Sequence, residues 1–411
     1  MQWNSDLETT KREKMQLFFI VLFIYATTMT DIVRLLAALT GSGAIRSMVN
    51  VVRNGLYVGV FAGYYFYADN KARLMGIGGT LLYVMVLLSS LLINPELQAH
   101  VVSLSLLFVA RHVLGFVMIA TLNKPVHLCR GIVKLAWLVP LYLALYAITP
   151  HDTSSGSSYS ISLSYNVLLP AMACLISAYL LQEKRIYCVI LSVVAIGGIV
   201  FYGSRGTLIC AGLGVLCVLI LNRQQYSLKR FVLRILLVAC VIVVLSYKAE
   251  IVEYLLKLAP DSRTLKLFAN ESFLWTSNRD KYLDFAKEAL ESEPFRIYGI
   301  GGDAYYYSMQ ARKPMDLGMH SHNIFLEFLL SYGLLIGGLL CTMWLLGLLC
   351  SIIKIKGNKH GKMLFILFVV PLIPLVFISG STCQSHYHWL QLGALANCVF
   401  YVQSTRTKNL Y

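Results

Sequence analysis

The sequence predicts an all-α polytopic membrane protein with about 12 transmembrane helices and one large external loop between spans 9 and 10. Of its 411 residues, 57% are hydrophobic and 13% are charged, whereas ordinary soluble domains have about 25% charged residues. The apolar residues form runs of roughly 16–25 residues, long enough for helices to cross a hydrocarbon core of about 30 Å. Every second connecting segment is rich in basic residues, as is typical of membrane proteins with a defined orientation.

The predicted spans follow from these apolar runs. They lie near residues 15–35, 53–68, 74–93, 99–121, 132–149, 164–182, 186–202, 207–222, 231–247, 323–352, 363–380 and 386–403.

Charge asymmetry orients these spans. The segments assigned to the cytoplasm are rich in basic residues, from Lys11, Arg12 and Lys14 at the start to Arg406 and Lys408 at the end. The alternate loops "INPELQAH", "TPHDTSSGSSYSIS" and "GSTCQSHYH" contain no lysine or arginine. Positively charged segments stay on the cytoplasmic side, so both termini are expected in the cytoplasm.

Interaction with membrane lipid can explain the net charge of +15. Most of the basic excess faces the cytoplasmic leaflet, whose anionic lipids attract it. Lipid is therefore an expected partner, and nucleic acid is not needed to account for the charge.

The large loop divides the chain into three predicted regions: a nine-span bundle over 1–247, a loop over 248–321 and a three-span segment over 322–411. A loop of this length usually carries function. Its stretches 250–259 and 277–292 have apolar residues at helical spacing and predict amphipathic helices. The glycines of "YGIGG" then predict turns.

Arg205, in "FYGSRGTLIC", lies at the predicted external end of the seventh span, with a glycine on each side of the "SR" pair. A charge at membrane depth is costly unless it is paired or faces water. Arg205 is therefore either an arginine that extends to the outer interface or an anion clamp whose planar fork matches phosphate oxygens.

Arg279, in "TSNRDKYLDF", is the second candidate cation. It follows residues that favour helix N-caps, so it is expected in a first turn whose free amides also attract anions. The alternative is a solvated ion pair with Asp280 or Asp284.

Two histidines precede the tenth span in "GMHSHNIFLEF", at His320 and His322. They could be a structural pair, or part of a zinc site completed by His386 and His388, since zinc needs three or four ligands. The interpretation we favour is a proton acceptor, because neutral imidazole can take a hydroxyl proton near pH 7. Asn323 could then hold a neighbouring hydroxyl or phosphate oxygen.

Further polar residues fall inside predicted spans. Asp31 and Arg34 are three residues apart on the first span and are expected to pair. The Arg111–His112 pair lies within the fourth span and implies a polar cavity or a buried partner. Gly333 and Gly337 have the spacing that is typical of close helix packing.

Taken together, "GSRG", "NRDKYLDFAKEALESEPFRIYGIGG" and "HSHNIFLEFLLSYGLLIGGL" resemble the O-antigen ligase/polymerase superfamily over about residues 190–345. The arrangement is similar to Wzy-type polysaccharide polymerases and to WaaL-type O-antigen ligases. The ligase pattern expects a glycine and then, three residues on, a glycine, threonine or tyrosine. Here Ile336 stands at that last position and Gly337 follows it.

The resemblance implies glycosyl transfer from an undecaprenyl-diphosphate-linked glycan on the periplasmic face of the bacterial inner membrane. It implies that Arg205 and Arg279 hold the donor diphosphate and that His322 lies near the acceptor hydroxyl. His320, Asn323, Tyr305 and Tyr306 are further candidates for acceptor or sugar contacts. The family is regarded as inverting and independent of metal or other cofactors.

Three functions are consistent with these features. We favour a polymerase, whose acceptor is another lipid-linked repeat unit and which could work with a chain-length regulator. The alternative is an O-antigen ligase, whose acceptor is a sugar of lipid A-core. A transporter of lipid-linked glycan is a more distant alternative, because transporters often have two matching halves and these halves do not match.

Overall fold

The computed structural model describes residues 10–93, 109–149, 161–203, 205–221, 248–258, 323–355, 359–378 and 386–408, with single positions or pairs at 265–266, 269, 290–291, 297 and 299. All regular structure within these ranges is helical, and none of it is β-strand. The predicted all-α class is confirmed for this part of the chain.

The α-helices are numbered here in chain order over the described residues. They are α1 (Lys11–Leu39), α2 (Gly43–Tyr67), α3 (Asn70–Ile93), α4 (Leu114–Ala120), α5 (Pro125–Leu135), α6 (Leu138–Ile148), α7 (Ile161–Ile176), α8 (Arg185–Tyr202), α9 (Arg205–Leu221), α10 (Lys248–Leu258), α11 (Ile324–Tyr332), α12 (Gly338–Lys354), α13 (Lys359–Leu364), α14 (Ile373–Ile378) and α15 (His386–Lys408). Short π-helical turns precede α4 and α12 and follow α7 and α13, at Val109–Val113, Gly333–Gly337, Ser177–Leu181 and Phe365–Val369.

Four helical segments of the described chain are long and apolar enough to cross a membrane: Lys11–Leu39, Leu163–Leu181, Arg185–Tyr202 and Ile324–Lys354. Helices α5 and α6 make a fifth if their pair, bent by 41°, counts as one span. These segments support a helical membrane protein. The other predicted spans stay predictions, and the ninth, 231–247, lies outside the described residues.

In the predicted external loop, α10 confirms the helix expected at 250–259. The second expected helix, 277–292, lies outside the described residues except at 290–291, which are helical.

The chain forms two compact units. Unit 1 comprises 1–8, 24–52 and 129–276, and unit 2 comprises 9–23, 53–128 and 277–411. The three regions predicted from the loop position stay a prediction.

In unit 1, the segment Leu163–Leu181 forms the core, and 94% of its most apolar window is buried. Short side chains bond to its carbonyl groups: Cys129 Sγ donates to Ala173 O at 3.3 Å, and Ser192 Oγ donates to Ala171 O at 3.3 Å. Helix α8 presents Ile186, Ile190 and Val193 at i, i+4 and i+7 to the outside. An exposed apolar stripe of this kind is what a lipid-facing helix requires.

In unit 2, α15 is bonded to its neighbours by polar side chains. Asn397 Nδ2 donates to Ile119 O at 2.8 Å and to Leu122 O at 2.9 Å, and Lys354 Nζ donates to Val399 O at 2.9 Å. In lipid the hydrophobic effect does not drive helices together, so close packing and such hydrogen bonds hold them together.

Candidate functional site

Arg205 is the first residue of α9 and follows a bend at Gly203. Helix α8 ends at Tyr202, and Gly203 is its C-cap in extended conformation. A Cβ on Gly203 would lie 2.3 Å from Ile199 O and 2.9 Å from Ser164 Oγ, so only glycine fits at this turn. The turn therefore fixes where the N-terminal amides of α9 begin, and such amides attract anions. The structure describes the backbone of Arg205 and not its side chain, so the predicted anion clamp stays a prediction.

Asp31 forms a buried polar cluster in the same unit. Its Oδ2 accepts hydrogen bonds from Tyr142 Oη and from Asn166 Nδ2, both at 3.2 Å. Its Oδ1 lies 3.5 Å from Arg34 Nη1. The predicted Asp31–Arg34 pair is confirmed. The sequence did not identify Tyr142 or Asn166 as its partners, because they lie on other helices and more than 100 residues away.

A ring contact connects this cluster to the turn before Arg205. Tyr142 and Tyr146 are one helical turn apart on α6, and the Tyr146 ring lies 5.4 Å from the Tyr202 ring, edge to face. Tyr202 is the last residue of α8 before the Gly203 turn. The Asp31 cluster and the start of α9 are thus connected by consecutive contacts within unit 1.

In unit 2, Asn323 is the N-cap of α11. Its Oδ1 accepts from Phe325 N at 2.9 Å and from Leu326 N at 3.4 Å. The predicted contact of Asn323 with a substrate oxygen stays a prediction, and it would have to use Nδ2, the donor end of the amide. The N-cap fixes the backbone beside His322, although His322 itself lies outside the described residues.

The other predicted site residues lie outside the described residues as well. They are Arg279, Tyr305, Tyr306 and His320. Their convergence with Arg205 and His322 therefore stays a prediction.

The glycines of the "YGIGG" and "SYGLLIGG" motifs meet in unit 2. Gly299 and Gly333 have φ of +77° and +72°. A Cβ on Gly333 would lie 2.1 Å from Ile297 O, and one on Gly299 would lie 2.4 Å from Gly333 N. Close packing at Gly333 was expected, and its partner is the backbone of Ile297 and Gly299. This contact holds Ile297 and Gly299 against the end of α11.

Unit 2 supplies the buried partner expected for Arg111. Its guanidinium lies 4.9 Å from the centre of the Tyr57 ring, and its Nη2 lies 3.4 Å from His386 Nδ1. Because guanidinium has no acceptor atom, Nδ1 must be the acceptor of this weak contact. His386 is therefore engaged with Arg111, which counts against a role for it as a zinc ligand. Within the described residues no group of three or more His, Cys, Asp or Glu could hold a metal.

Comparison with known proteins gives one match. Residues 190–343 match the family model described as O-antigen ligase. No curated protein and no solved structure matches the chain. The matched range begins within α8, includes Arg205, Arg279 and His322, and ends within α12. This match over residues 190–343 supports the O-antigen ligase/polymerase superfamily that the sequence resembles.

Proposed function

We propose that this protein is a membrane glycosyltransferase that polymerises undecaprenyl-diphosphate-linked oligosaccharide repeat units on the periplasmic face of the inner membrane. The observation that carries the proposal is the family match over 190–343. That range contains all three residues to which the resemblance assigns the reaction. The family supports an enzyme that uses lipid-linked glycans, and the choice of polymerase is our own.

The proposed role of Arg205 and Arg279 is to bind the donor diphosphate. When the bond between the anomeric carbon and the phosphate oxygen breaks, negative charge develops on the departing diphosphate. Fixed cations stabilise this charge more in the transition state than in the ground state. Arg205 is the first residue of α9, and the free N-terminal amides of a helix also attract anions. They would therefore support the same role.

The proposed role of His322 is to act as general base. A hydroxyl oxygen of the acceptor sugar forms a bond to the anomeric carbon while undecaprenyl diphosphate leaves from the opposite face, which inverts the configuration. The hydroxyl proton passes to the neutral imidazole of His322. His320, Asn323, Tyr305 and Tyr306 would contact the sugars of the acceptor or donor.

A transfer assay tests these roles. Purified protein in lipid nanodiscs is given a lipid-linked repeat unit, and product length is followed by gel or mass spectrometry. We expect Arg205→Ala, Arg279→Ala and His322→Ala each to lower the rate by about 100-fold or more, since single transition-state contacts are often worth that much. Arg185→Ala is the matched control, because Arg185 lies at the other end of α8 with its guanidinium near the Tyr179 ring. Wild-type rates in Arg205→Ala and His322→Ala would refute the mechanism.

An O-antigen ligase is the second candidate, because the matching family model carries that description. The two functions differ in the acceptor, which a deletion strain reveals in its surface polysaccharide. Loss of a polymerase leaves single repeat units attached to lipid A-core. Loss of a ligase leaves bare core and polymer retained on the carrier lipid, and that result would replace the polymerase proposal.

A further inference from the structure

The Asp31 cluster of unit 1 positions a partly exposed guanidinium. The side chain of Asp31 is 10% exposed, whereas that of Arg34 is 42% exposed. Arg34 Nη1 lies 3.5 Å from Asp31 Oδ1, and Arg34 Nη2 donates to Asn50 Oδ1 at 3.2 Å. The arginine is thus held by two groups, one at each terminal nitrogen, and much of its side chain reaches the surface of the unit.

A buried carboxylate in a membrane protein is costly and usually has a function. The two neutral donors, Tyr142 and Asn166, both bond to Oδ2 of Asp31. The other oxygen, Oδ1, is the one that faces Arg34. The bonds to Oδ2 fix the rotation of the carboxylate, and the fixed carboxylate in turn orients the guanidinium.

Helix α6 connects the Asp31 cluster with the end of α8, which is followed along the chain by Gly203 and then by α9. On α1, Arg34 lies about 4.5 Å further along the axis than Asp31, and on α6, Tyr146 lies about 6 Å beyond Tyr142. Both helices run outward in the predicted topology. Tyr142 contacts Asp31 and Tyr146 contacts Tyr202, so α6 connects the Asp31 cluster with the last residue of α8. In the predicted topology Arg34 is on the Tyr202 side of Asp31.

We propose that Arg34 is a further phosphate-binding residue for the diphosphate of the lipid-linked donor, and that Asp31 is its positioning residue. The proposal rests on the proposed function, because it takes the donor as the source of the phosphate. A guanidinium with two anchored nitrogens still presents a planar fork of donors, which suits phosphate oxygens. An anionic phospholipid of the outer leaflet has the same phosphate chemistry, and the experiment distinguishes the two sources.

The test measures binding of undecaprenyl diphosphate, without sugar, to the full-length protein in nanodiscs of zwitterionic lipid. We expect Arg34→Gln to weaken binding by about 10- to 100-fold, as for loss of a charged hydrogen-bond donor. Arg34→Lys keeps the charge but loses the planar fork of donors, so its affinity should lie between those of the wild type and Arg34→Gln. Asp31→Asn should weaken binding less, because it removes only the carboxylate that positions Arg34. Arg185→Gln is the matched control at the opposite end of the same unit and should bind as wild type does.

Each outcome decides between the claims. If the wild type does not bind undecaprenyl diphosphate, the proposed function itself fails. If the wild type binds it and Arg34→Gln binds equally well, only the role of Arg34 fails. Phosphatidylglycerol that competes with equal strength and the same dependence on Arg34 would instead assign the residue to a phospholipid headgroup. Should Arg34→Gln not insert, unchanged binding by Arg34→Lys together with Asp31→Asn would overturn the proposal.

Discussion

Single residues in this chain combine structural and proposed chemical roles. Asn323 shows this most clearly, because its side-chain oxygen caps α11 and its nitrogen is the donor that the proposed contact with a substrate oxygen would use. The sequence suggested an acceptor contact but could not show the cap, since an asparagine before an apolar run has either role. The two roles are separable by substitution, because they use different atoms of one amide.

We predict that Asn323→Asp keeps stability and loses activity. Aspartate caps helices as well as asparagine does, so the thermal midpoint should stay near that of the wild type. It has no donor and adds a negative charge near the proposed diphosphate site, so transfer should fall by about tenfold or more, the cost of a lost hydrogen bond to a charged group.

Asn323→Ala is the comparison for this prediction, because it removes both the cap and the donor. It should lower the free energy of unfolding by about 1 kcal/mol. It should also lower the rate of glycosyl transfer. Thermal melts in detergent and the nanodisc assay measure the two effects. Full transfer by Asn323→Asp would show that the residue serves the helix alone.

At the scale of elements, the break between α11 and α12 is the feature that the sequence described least well. The spacing of Gly333 and Gly337 indicated contact with another helix. In the structure Gly333 adopts a φ of +72° and packs against the carbonyl of Ile297. Spacing alone could not distinguish these cases, because both require the absence of a Cβ. The contact joins residues that are 36 positions apart, and a local sequence pattern cannot predict a contact over such a separation.

We predict that Gly333→Ala destabilises this junction. Backbone strain alone should cost about 1–3 kcal/mol, and the added Cβ would also overlap Ile297 O. Gly338→Ala is the matched control, because nothing lies within 4 Å of a Cβ there and its φ is helical. Thermal melts and hydrogen exchange of α11 should show the loss in the first variant and not in the second. Equal stability of both variants would show that the glycine is not needed at the break.

At the scale of the whole molecule, composition and charge predicted the class of the protein well, while its long-range pairings were not predictable. The Asp31–Arg34 pair was foreseen because its members share one helix. The contact of Arg111 with His386 was not, since 275 residues separate them. Hydropathy is a property of each segment alone, whereas the partner of a buried charge depends on which helices pack together. A sequence can therefore show that Arg111 needs a partner without showing which residue it is.

The proposed chemistry depends on orientation, which gives the last prediction. With the N-terminus inside, the predicted topology puts the Arg34 end of α1, the start of α9 at Arg205 and the cap at Asn323 toward the periplasm. Alkaline phosphatase inserted in 151–158 should then be active, and a fluorescent protein fused after Lys408 should fluoresce. An insertion of the phosphatase beside Lys184 should be inactive, because basic segments stay in the cytoplasm. The reverse pattern would turn the three residues toward the cytoplasm. Transfer on the periplasmic face would then be excluded, whatever the activity of the purified protein.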